Sequence, residues 1–193
     1  MQITSNVDTQ SGNVAADLNM TSVSTKTTKA FGVFINTTVA TPAAKTFTAV
    51  AATDICTAAA HGYATGLRVA ATTTTTLPGG LSVTNYWIIK IDADTFKLAT
   101  SAANALAGTA VDITSVGTGT HTLTPAAITG GSYKLQVSPD DTLWYDLASV
   151  TNNVTVTANF MHEKIDPAFN FMRVVWAVTT GQIAYVITTV VKE

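Results

Sequence analysis

The stretch that decides the fold is AFGVFINTTVA, residues 30–40. Phe31, Val33 and Ile35 fall on one face of an extended chain, and the residues between them fall on the other face. This period of two predicts a half-buried β-strand, which Pro42 ends. A strand of the same quality, SYKLQVS at residues 132–138, follows only after more than eighty residues. The chain between the two strands is therefore predicted to be a separate region.

Composition favours an all-β protein. Charged residues make up 11% of the chain and hydrophobic residues 47%, and threonine alone accounts for roughly a fifth. β-Branched side chains lose rotamer freedom in helices and pack well on pleated sheets. The formal net charge of −2 differs from the high net charge of disordered chains, and it predicts no electrostatic footprint for nucleic acid.

The low charge also bears on association. Ordinary soluble domains carry about a quarter charged residues, so this chain has little charge-based protection against self-contact. It favours a subunit of an assembly, with a low-charge secreted monomer as the alternative.

The number of cysteines and the first residues bear on the cellular compartment in which the protein is made. Cys56 is the one cysteine, which excludes an intrachain disulfide and a cysteine-based metal cage, and its apolar neighbours predict a buried thiol. The first residues lack the basic start and apolar run of a secretory signal peptide, and no stretch approaches the length that spans a bilayer. Synthesis in a cytoplasm without membrane insertion is expected.

The region from 45 to 125 has a texture of its own, with short strands separated by Gly, Pro and Asp turns. The helical candidate is SAANAL at 101–106, with Ser101 as its cap and Gly108 as its end. The run of five threonines, Thr72–Thr76, is interpreted as the end of an exposed strand before a Leu-Pro-Gly-Gly turn. Strands are predicted at 47–51, 54–58, 67–75, 85–91, 96–99, 111–114 and 120–124.

The flanking regions carry longer alternating runs. A first strand is predicted within 13–20, and the residues at 138–142, SPDDT, are predicted to form a turn. Further strands are predicted at 143–147, 153–160, 171–178 and 183–191, with a break at Asp166-Pro167. The short segment 179–181 between the last two strands predicts a hairpin.

The middle region resembles a small all-β module found in many structural proteins of tailed bacteriophages. About 65 residues match in order, from HGYATGLRVAATTTTT to GTGTHTLTP. Trp87 departs from the usual Tyr, and the threonine run is longer than usual. The matching elements are His61-Gly62 with Thr65-Gly66, Leu77-Pro78, the aromatic strand 86–89, DTFKLA at 94–99, and GTGTH at 117–121.

The last region resembles a jelly-roll sandwich of the discoidin or carbohydrate-binding-module type, which is also frequent in phage particles. Thr142 stands where that pattern has a turn glycine. The matching residues are Leu135, Gln136, Ser138, Asp141, Trp144, Asp146 and Leu147, followed by the elements 167–169 and 173–175.

Together the two resemblances imply an all-β fold: a jelly-roll β-sandwich with a second small all-β domain inserted in a loop. The sandwich is predicted to be discontinuous, residues 1–44 plus 127–193, and the inserted module to span 45–126. Insertion at an exposed loop costs little, because loop-closure entropy rises slowly with length. Three sequential pieces without nesting are the alternative.

No catalytic, cofactor or metal site is predicted. His61, His121 and His162 are scattered; His61 and His121 could approach each other, but two histidines make a poor metal site, and turn histidines bonded to backbone are the simpler interpretation. The carboxylate pairs Asp92/Asp94 and Asp140/Asp141 are better explained as turn formers, and Glu163/Asp166 offers no fixed separation either.

Three residues are candidates for glycan or interface contacts. Tyr86 and Trp87 are neighbours on one strand, so one of them is expected to be exposed, while Trp144 and Trp176 are expected in the core. Arg173 interrupts an apolar strand and is expected to reach a sheet edge, a buried partner or another subunit.

The resemblance implies a non-enzymatic structural component of a tailed phage particle: a head decoration, a head-fibre base, or a neck or tail accessory protein. Its expected partners are other virion proteins, such as major capsid, neck or tail proteins, and copies of itself in a homo-oligomer. Nucleic acid and membrane are not expected partners, and a host glycan is a possible one. The expected location is the virion, after synthesis in the host cytoplasm. The alternative function is a carbohydrate-binding module that recognises host-surface glycans.

Overall fold

The computed structural model describes residues 5–16, 18–25, 30–39, 41–153, 158–165 and 169–192. Fifteen strands and one short helix lie within these residues. In chain order they are β1 (Ser5–Val14), β2 (Leu18–Asn19), β3 (Val23–Ser24), β4 (Ala30–Val39), β5 (Lys45–Val50), β6 (Ile55–Thr57), β7 (Arg68–Thr73), β8 (Asn85–Lys90), β9 (Thr95–Ala99), α1 (Ala102–Leu106), β10 (His121–Pro125), β11 (Gly130–Ser138), β12 (Tyr145–Asn153), β13 (Ala158–Ile165), β14 (Phe171–Thr180) and β15 (Ile183–Lys192).

Two antiparallel sheets form a sandwich. The first sheet has the strand order β1–β15–β4–β13, and the second has the order β12–β11–β14–β2, with β3 also paired to β14. The deciding strand β4 is central in the first sheet, and its Val33 and Ile35 are fully buried. The second sheet contributes Leu135 and the tilted, contacting rings of Tyr133 and Trp176 to the same core.

The order of the strands is that of a jelly roll. The chain runs from the first sheet (β1) to the second (β2, β3), returns to the first (β4), and later alternates through β12, β13, β14 and β15 between the two sheets. Apart from β2 with β3 and β11 with β12, which share the second sheet, consecutive strands of the sandwich therefore lie in opposite sheets, as in a double-sheet jelly roll. The predicted fold class is confirmed.

Residues 45–125 form a closed barrel with the strand order β10–β5–β6–β9–β8–β7. Its inward residues include Phe96, Ile88 and Leu123, each 1% exposed or less. A closed barrel has no unpaired edge, so it gives a small unit that buries its own backbone groups.

The barrel sits in the connection between β4 of the first sheet and β11 of the second. Its two ends leave side by side, because Lys45 at the start of β5 pairs with Leu123 near the end of β10. A loop of the sandwich can therefore hold the barrel without separating its own ends. The predicted boundaries after residues 44 and 126 stay a prediction.

One glutamine side chain joins the sandwich to the barrel. Gln182, in the turn between β14 and β15, accepts a hydrogen bond from the Ala64 backbone N–H at 2.7 Å and donates one to the Gly62 carbonyl at 2.9 Å. It is only 5% exposed. Gly181 beside it has a φ of +89°, and a Cβ there would collide with the backbone of Ile128, where the chain leaves the barrel.

Several local predictions are confirmed. Six of the seven strands predicted between 45 and 125 are present, within two residues at either end. The helix begins after Ser101, whose hydroxyl accepts from the Asn104 N–H, and Gly108 follows its end with a φ of +74°. The strand within 153–160 cannot be judged, because residues 154–157 lie outside the described part, as does the break at Asp166-Pro167.

The predicted hairpin at 179–181 is wrong. β14 pairs with β11, β2 and β3 in the second sheet, whereas β15 pairs with β1 and β4 in the first. Both strands carry a buried apolar face, as at Trp176 and Ile183. The turn is therefore an arch across the core, since two such faces are buried best when they oppose each other.

Three other predictions need correction. The single strand predicted within 13–20 is wrong, because β1 ends at Val14 and the chain bends toward the barrel, where Ala16 packs on Gly66. The strand predicted at 111–114 is wrong as well, because Ile113 is a buried plug whose N–H donates to the Asp54 carboxylate. The threonine strand β7 stops at Thr73, earlier than predicted.

Replacing Gln182 tests the connection between the sandwich and the barrel. In Gln182→Ala the Ala64 N–H and the Gly62 carbonyl lose their partners, so we expect a loss of about 1–3 kcal/mol in the free energy of unfolding. Hydrogen exchange of the Ala64 amide should accelerate. Gln10→Ala is the matched control, because the exposed Gln10 amide also donates to a backbone carbonyl, that of Thr21. An unchanged unfolding midpoint together with unchanged exchange at Ala64 would contradict the role of Gln182.

Candidate functional site

His61 is a buried structural histidine of the barrel. Its Nδ1 accepts a hydrogen bond from the Tyr63 N–H at 2.9 Å, so the neutral ring carries its proton on Nε2, which has no hydrogen-bond partner. Burial lowers the pKa of His61, while the nearby backbone of Thr95 and Asp92 raises it by less. The ring packs against Tyr63 and Phe96. The neutral, buried imidazole therefore stabilises the chain at residues 61–63 through its hydrogen bond to the Tyr63 N–H.

His121 lies at the start of β10 and has partners on both ring nitrogens. Nδ1 is 3.0 Å from the Thr73 hydroxyl, and Nε2 is 3.1 Å from the Val116 carbonyl. The Phe47 and Phe96 rings lie between His121 and His61, since Phe47 contacts both His121 and Phe96. The two histidines therefore share one aromatic cluster but do not form a ligand pair.

Within the described residues, no group of three or more His, Cys, Asp or Glu side chains could hold a metal ion. His162 belongs to β13, but its side chain lies outside the described part of the chain.

The predicted turn carboxylates are engaged by backbone. Asp140 accepts from the N–H groups of Thr142 and Leu143 and from the Ser138 hydroxyl, and the N–H bonds chiefly hold the pKa of its carboxyl well below the ordinary value. Asp92 accepts from the N–H groups that follow it in the β8–β9 turn, which lowers its pKa as well. Both carboxylates are consumed in holding turns. Asp166 lies outside the described residues, so the predicted pair of Glu163 and Asp166 stays a prediction.

Tyr86 and Trp87 occupy adjacent positions of β8 and point to opposite sides of the barrel wall. Tyr86 is 4% exposed, and its hydroxyl accepts from the Ser82 N–H at 2.8 Å. Trp87 is half-buried on the outside, next to Arg68 in the register. Tyr86 is thereby closed to a ligand, while Trp87 keeps part of its ring accessible.

Arg173 belongs to a polar network on the outer surface of the second sheet. Its Nε and Nη2 donate to Gln136 Oε1 at 3.0 and 2.8 Å. The Gln136 amide donates to Asp146 at 2.7 Å, and Asp146 forms an ion pair with Lys134 at 2.8 Å, which lowers the pKa of Asp146. The guanidinium lies 4.1 Å from the centre of the Trp144 ring. We call these five residues the charged face.

The charged face follows from the strand register. Gln136 is the direct partner of Arg173 on one side and of Asp146 on the other, so that three neighbouring strands present one row of hydrogen-bonding side chains. Trp176 is a core residue, as predicted, but Trp144 is half-buried beneath Arg173, and its expected place in the core is wrong. Arg173 and the pair Tyr86/Trp87 lie in different sheets and do not form one site.

The outer surface of the first sheet differs in kind. It consists of alternate residues 7–13 of β1, 184–190 of β15, 30–38 of β4, and Met161 of β13; we call it the uncharged face. Val7, Phe34, Met161 and Val186 are 56%, 40%, 65% and 42% exposed. None of the described side chains of this face is charged. Sequence reasoning did not assign it a role, although the signal was present: Phe34 lies opposite the buried Val33 and Ile35.

A shallow groove of about 550 Å³ crosses the barrel between β5, β6 and the loop before β10. Threonine hydroxyls, glycine backbone and His121 line it. Its lining holds no carboxylate, cysteine or second histidine, so the groove offers surface for contact rather than groups for acid–base chemistry.

No helix among the described residues has the length and apolar character needed to cross a bilayer. No protein-family model matches the chain, and no curated protein matches it either.

The burial of His61 predicts acid sensitivity. Because the folded-state pKa lies below the ordinary value of about 6.5, the unfolded chain binds the proton first. The stability contributed by neutral His61 is therefore complete above about pH 6.5 and is lost as the pH falls below it. In His61→Asn the side-chain oxygen can still accept from the Tyr63 N–H but does not titrate. We expect urea unfolding at about pH 7.5 and about pH 5.5 to show a smaller difference for this variant than for the wild type. Equal differences would contradict the assignment.

The thiol of Cys56 should be inert in the folded protein. The residue is fully buried, and burial, followed by the charge of Asp54, raises its pKa to about 12. Because the thiolate is the reactive form, we expect iodoacetamide at neutral pH to leave the native protein unmodified and to label one site after denaturation. Mass spectrometry reads the result, and rapid labelling of native protein would contradict it.

Proposed function

We propose that the chain is a non-enzymatic structural component of a tailed phage particle and acts by docking to other proteins. The station on the particle is a head decoration, a head-fibre base, or a neck or tail accessory position. The single observation that carries the proposal is a contrast between the reactive polar groups, which are hydrogen-bonded within the protein, and one outer sheet surface without charge. His61, His121 and the turn carboxylates Asp92 and Asp140 are engaged in holding the barrel and its turns. By contrast, the described side chains of the uncharged face carry no charge, and large apolar side chains are exposed among them.

The construction of the fold agrees with a scaffold. The barrel is closed and tied to the sandwich by Gln182, so a neighbour that grips one unit also orients the other. The elements on which the phage resemblance depends build this scaffold: the 61–66 segment meets Gln182 and Ala16, and residues 94–99 form β9 and its turn.

The test is to purify particles produced from a genome that encodes this chain. We expect the chain in the purified particles at a fixed copy number, detected by quantitative mass spectrometry, and antibody–gold label at one station in electron micrographs. The proposal is wrong if the chain stays in the soluble fraction while intact particles form without it.

A carbohydrate-binding module is the second candidate, and one observation favours it. Tyr145, at the start of β12, is 59% exposed and therefore offers an open aromatic ring. Against it, Arg173 covers one face of the Trp144 ring, and Tyr86 is buried. Sugar binding needs an uncovered ring face, and among the described Trp and Tyr side chains Tyr145 and Trp87 are the candidates for it.

Glycan binding is tested on an array with the wild type, Tyr145→Ala and Trp87→Ala. Leu143→Ala is the matched control, because Leu143 is also 59% exposed and lies in the adjoining turn. Under the docking proposal we expect no specific glycan signal from any of the proteins. A signal that is lost in Tyr145→Ala or Trp87→Ala but kept in Leu143→Ala would establish the second candidate.

A further inference from the structure

The two outer surfaces of the sandwich offer an internal comparison. One belongs to a four-stranded sheet and the other to a five-stranded sheet of the same jelly roll, and the inner surfaces of both sheets face the same core. The charged face carries Lys134, Asp146 and Arg173 joined by hydrogen bonds and an ion pair. The uncharged face carries none among its described side chains and exposes Phe34 and Met161. The first of these surfaces has the charged and hydrogen-bonded side chains typical of a hydrated sheet face, whereas the second combines uncharged polar side chains with exposed large apolar ones.

The uncharged face is continuous across four strands. Phe34 on β4 pairs with Thr188 on β15 and with Met161 on β13, and Thr188 pairs in turn with Thr9 on β1. In the next row Val186 lies between neighbours on β1 and β4. Apolar side chains are therefore mixed with hydroxyl and amide side chains across the described part of this surface.

We propose that the uncharged face is the surface through which copies of this chain pack on one another, sheet against sheet. This inference rests on the proposed docking role and names the partner. A second copy suits the surface because two uncharged faces meet without like-charge repulsion, whereas a partner selected by charge would find no complement among the described side chains. The inner surface of the first sheet already packs against another sheet, with Val33, Ile35 and Ile187 in the shared core.

The available area is sufficient. Four strands about 4.8 Å apart and about 33 Å long cover roughly 600 Å², and the strands concerned have up to ten residues. Two such faces give about 1,200 Å² in total, the lower end of the range for specific, stable interfaces.

Glu163 and Lys192 occupy register positions beside Gly32 and Ala30, at one end of the face. One acidic and one basic residue at that end leave the local charge balanced.

The experiment measures the mass of the full-length chain by sedimentation velocity over a range of concentrations. We expect a closed oligomer for the wild type. In Val186→Glu, which puts like charges on both opposed faces, self-association should weaken by about tenfold or more. Val83→Glu is the matched control, because Val83 is 75% exposed on the barrel and should leave the oligomer intact. Thr9→Glu, on the exposed row beside Phe34, is the second variant, used if Val186→Glu fails to unfold cooperatively at the wild-type temperature.

Charge reversal sharpens the test. Mixing Val186→Glu with Val186→Lys should restore the oligomer, since the two faces then attract each other. A wild type that is a single copy at every concentration overturns the inference, and so does an oligomer that the face variants leave unchanged. Either result leaves the docking proposal standing, because presence in purified particles is measured separately. If the wild type is a single copy but Val186→Glu is excluded from particles, the occupant is another virion protein and the second copy is ruled out.

Discussion

The geometry of the whole molecule depends on one buried amide. Gln182 offers its oxygen to the Ala64 N–H and its nitrogen to the Gly62 carbonyl, and so pairs with the barrel backbone much as a strand would. A buried backbone group without a partner is costly, and an amide side chain is one of few that satisfy a donor and an acceptor together. Gln182 lies in the arch between β14 of the second sheet and β15 of the first. Its hydrogen bonds therefore attach the barrel at the point where the two sheets are connected. Gly181 makes the close approach possible, since no side chain stands between the arch and the segment leaving the barrel.

The barrel and the sandwich differ in what they leave exposed. The barrel closes on itself, and its two ends leave at paired positions, so it adds a rigid body without disturbing the strands from which it projects. The sandwich leaves two broad outer surfaces. One is covered by a hydrogen-bonded row from Lys134 to Arg173, which keeps it hydrated. The other exposes Phe34, Met161 and Val186 among uncharged polar side chains, so the two outer surfaces of the sandwich differ in charge.

Local physical chemistry made much of the fold predictable. Alternation placed Val33, Ile35, Tyr133 and Leu135 in the core, and capping residues placed α1. Turn chemistry identified Asp92 and Asp140 as backbone acceptors. The predictions failed where two elements compete for the same pattern. The segment 179–181 has the composition of a hairpin turn, yet it crosses the core, and the apolar residues around Ile113 plug the barrel instead of forming a strand.

The sequence by itself determined that this is an all-β protein with a buried thiol and turn-forming carboxylates, because period, propensity and burial of apolar side chains act over a few neighbouring residues. Only the tertiary structure decided which strands pair and which side of each sheet meets water. It also decided that Gln182 bonds to Ala64, 118 residues away in the sequence. The physical reason is that these features follow from the register between distant strands. An alternating strand has two faces, and the strand beside it and the surface opposite decide what each of them contacts.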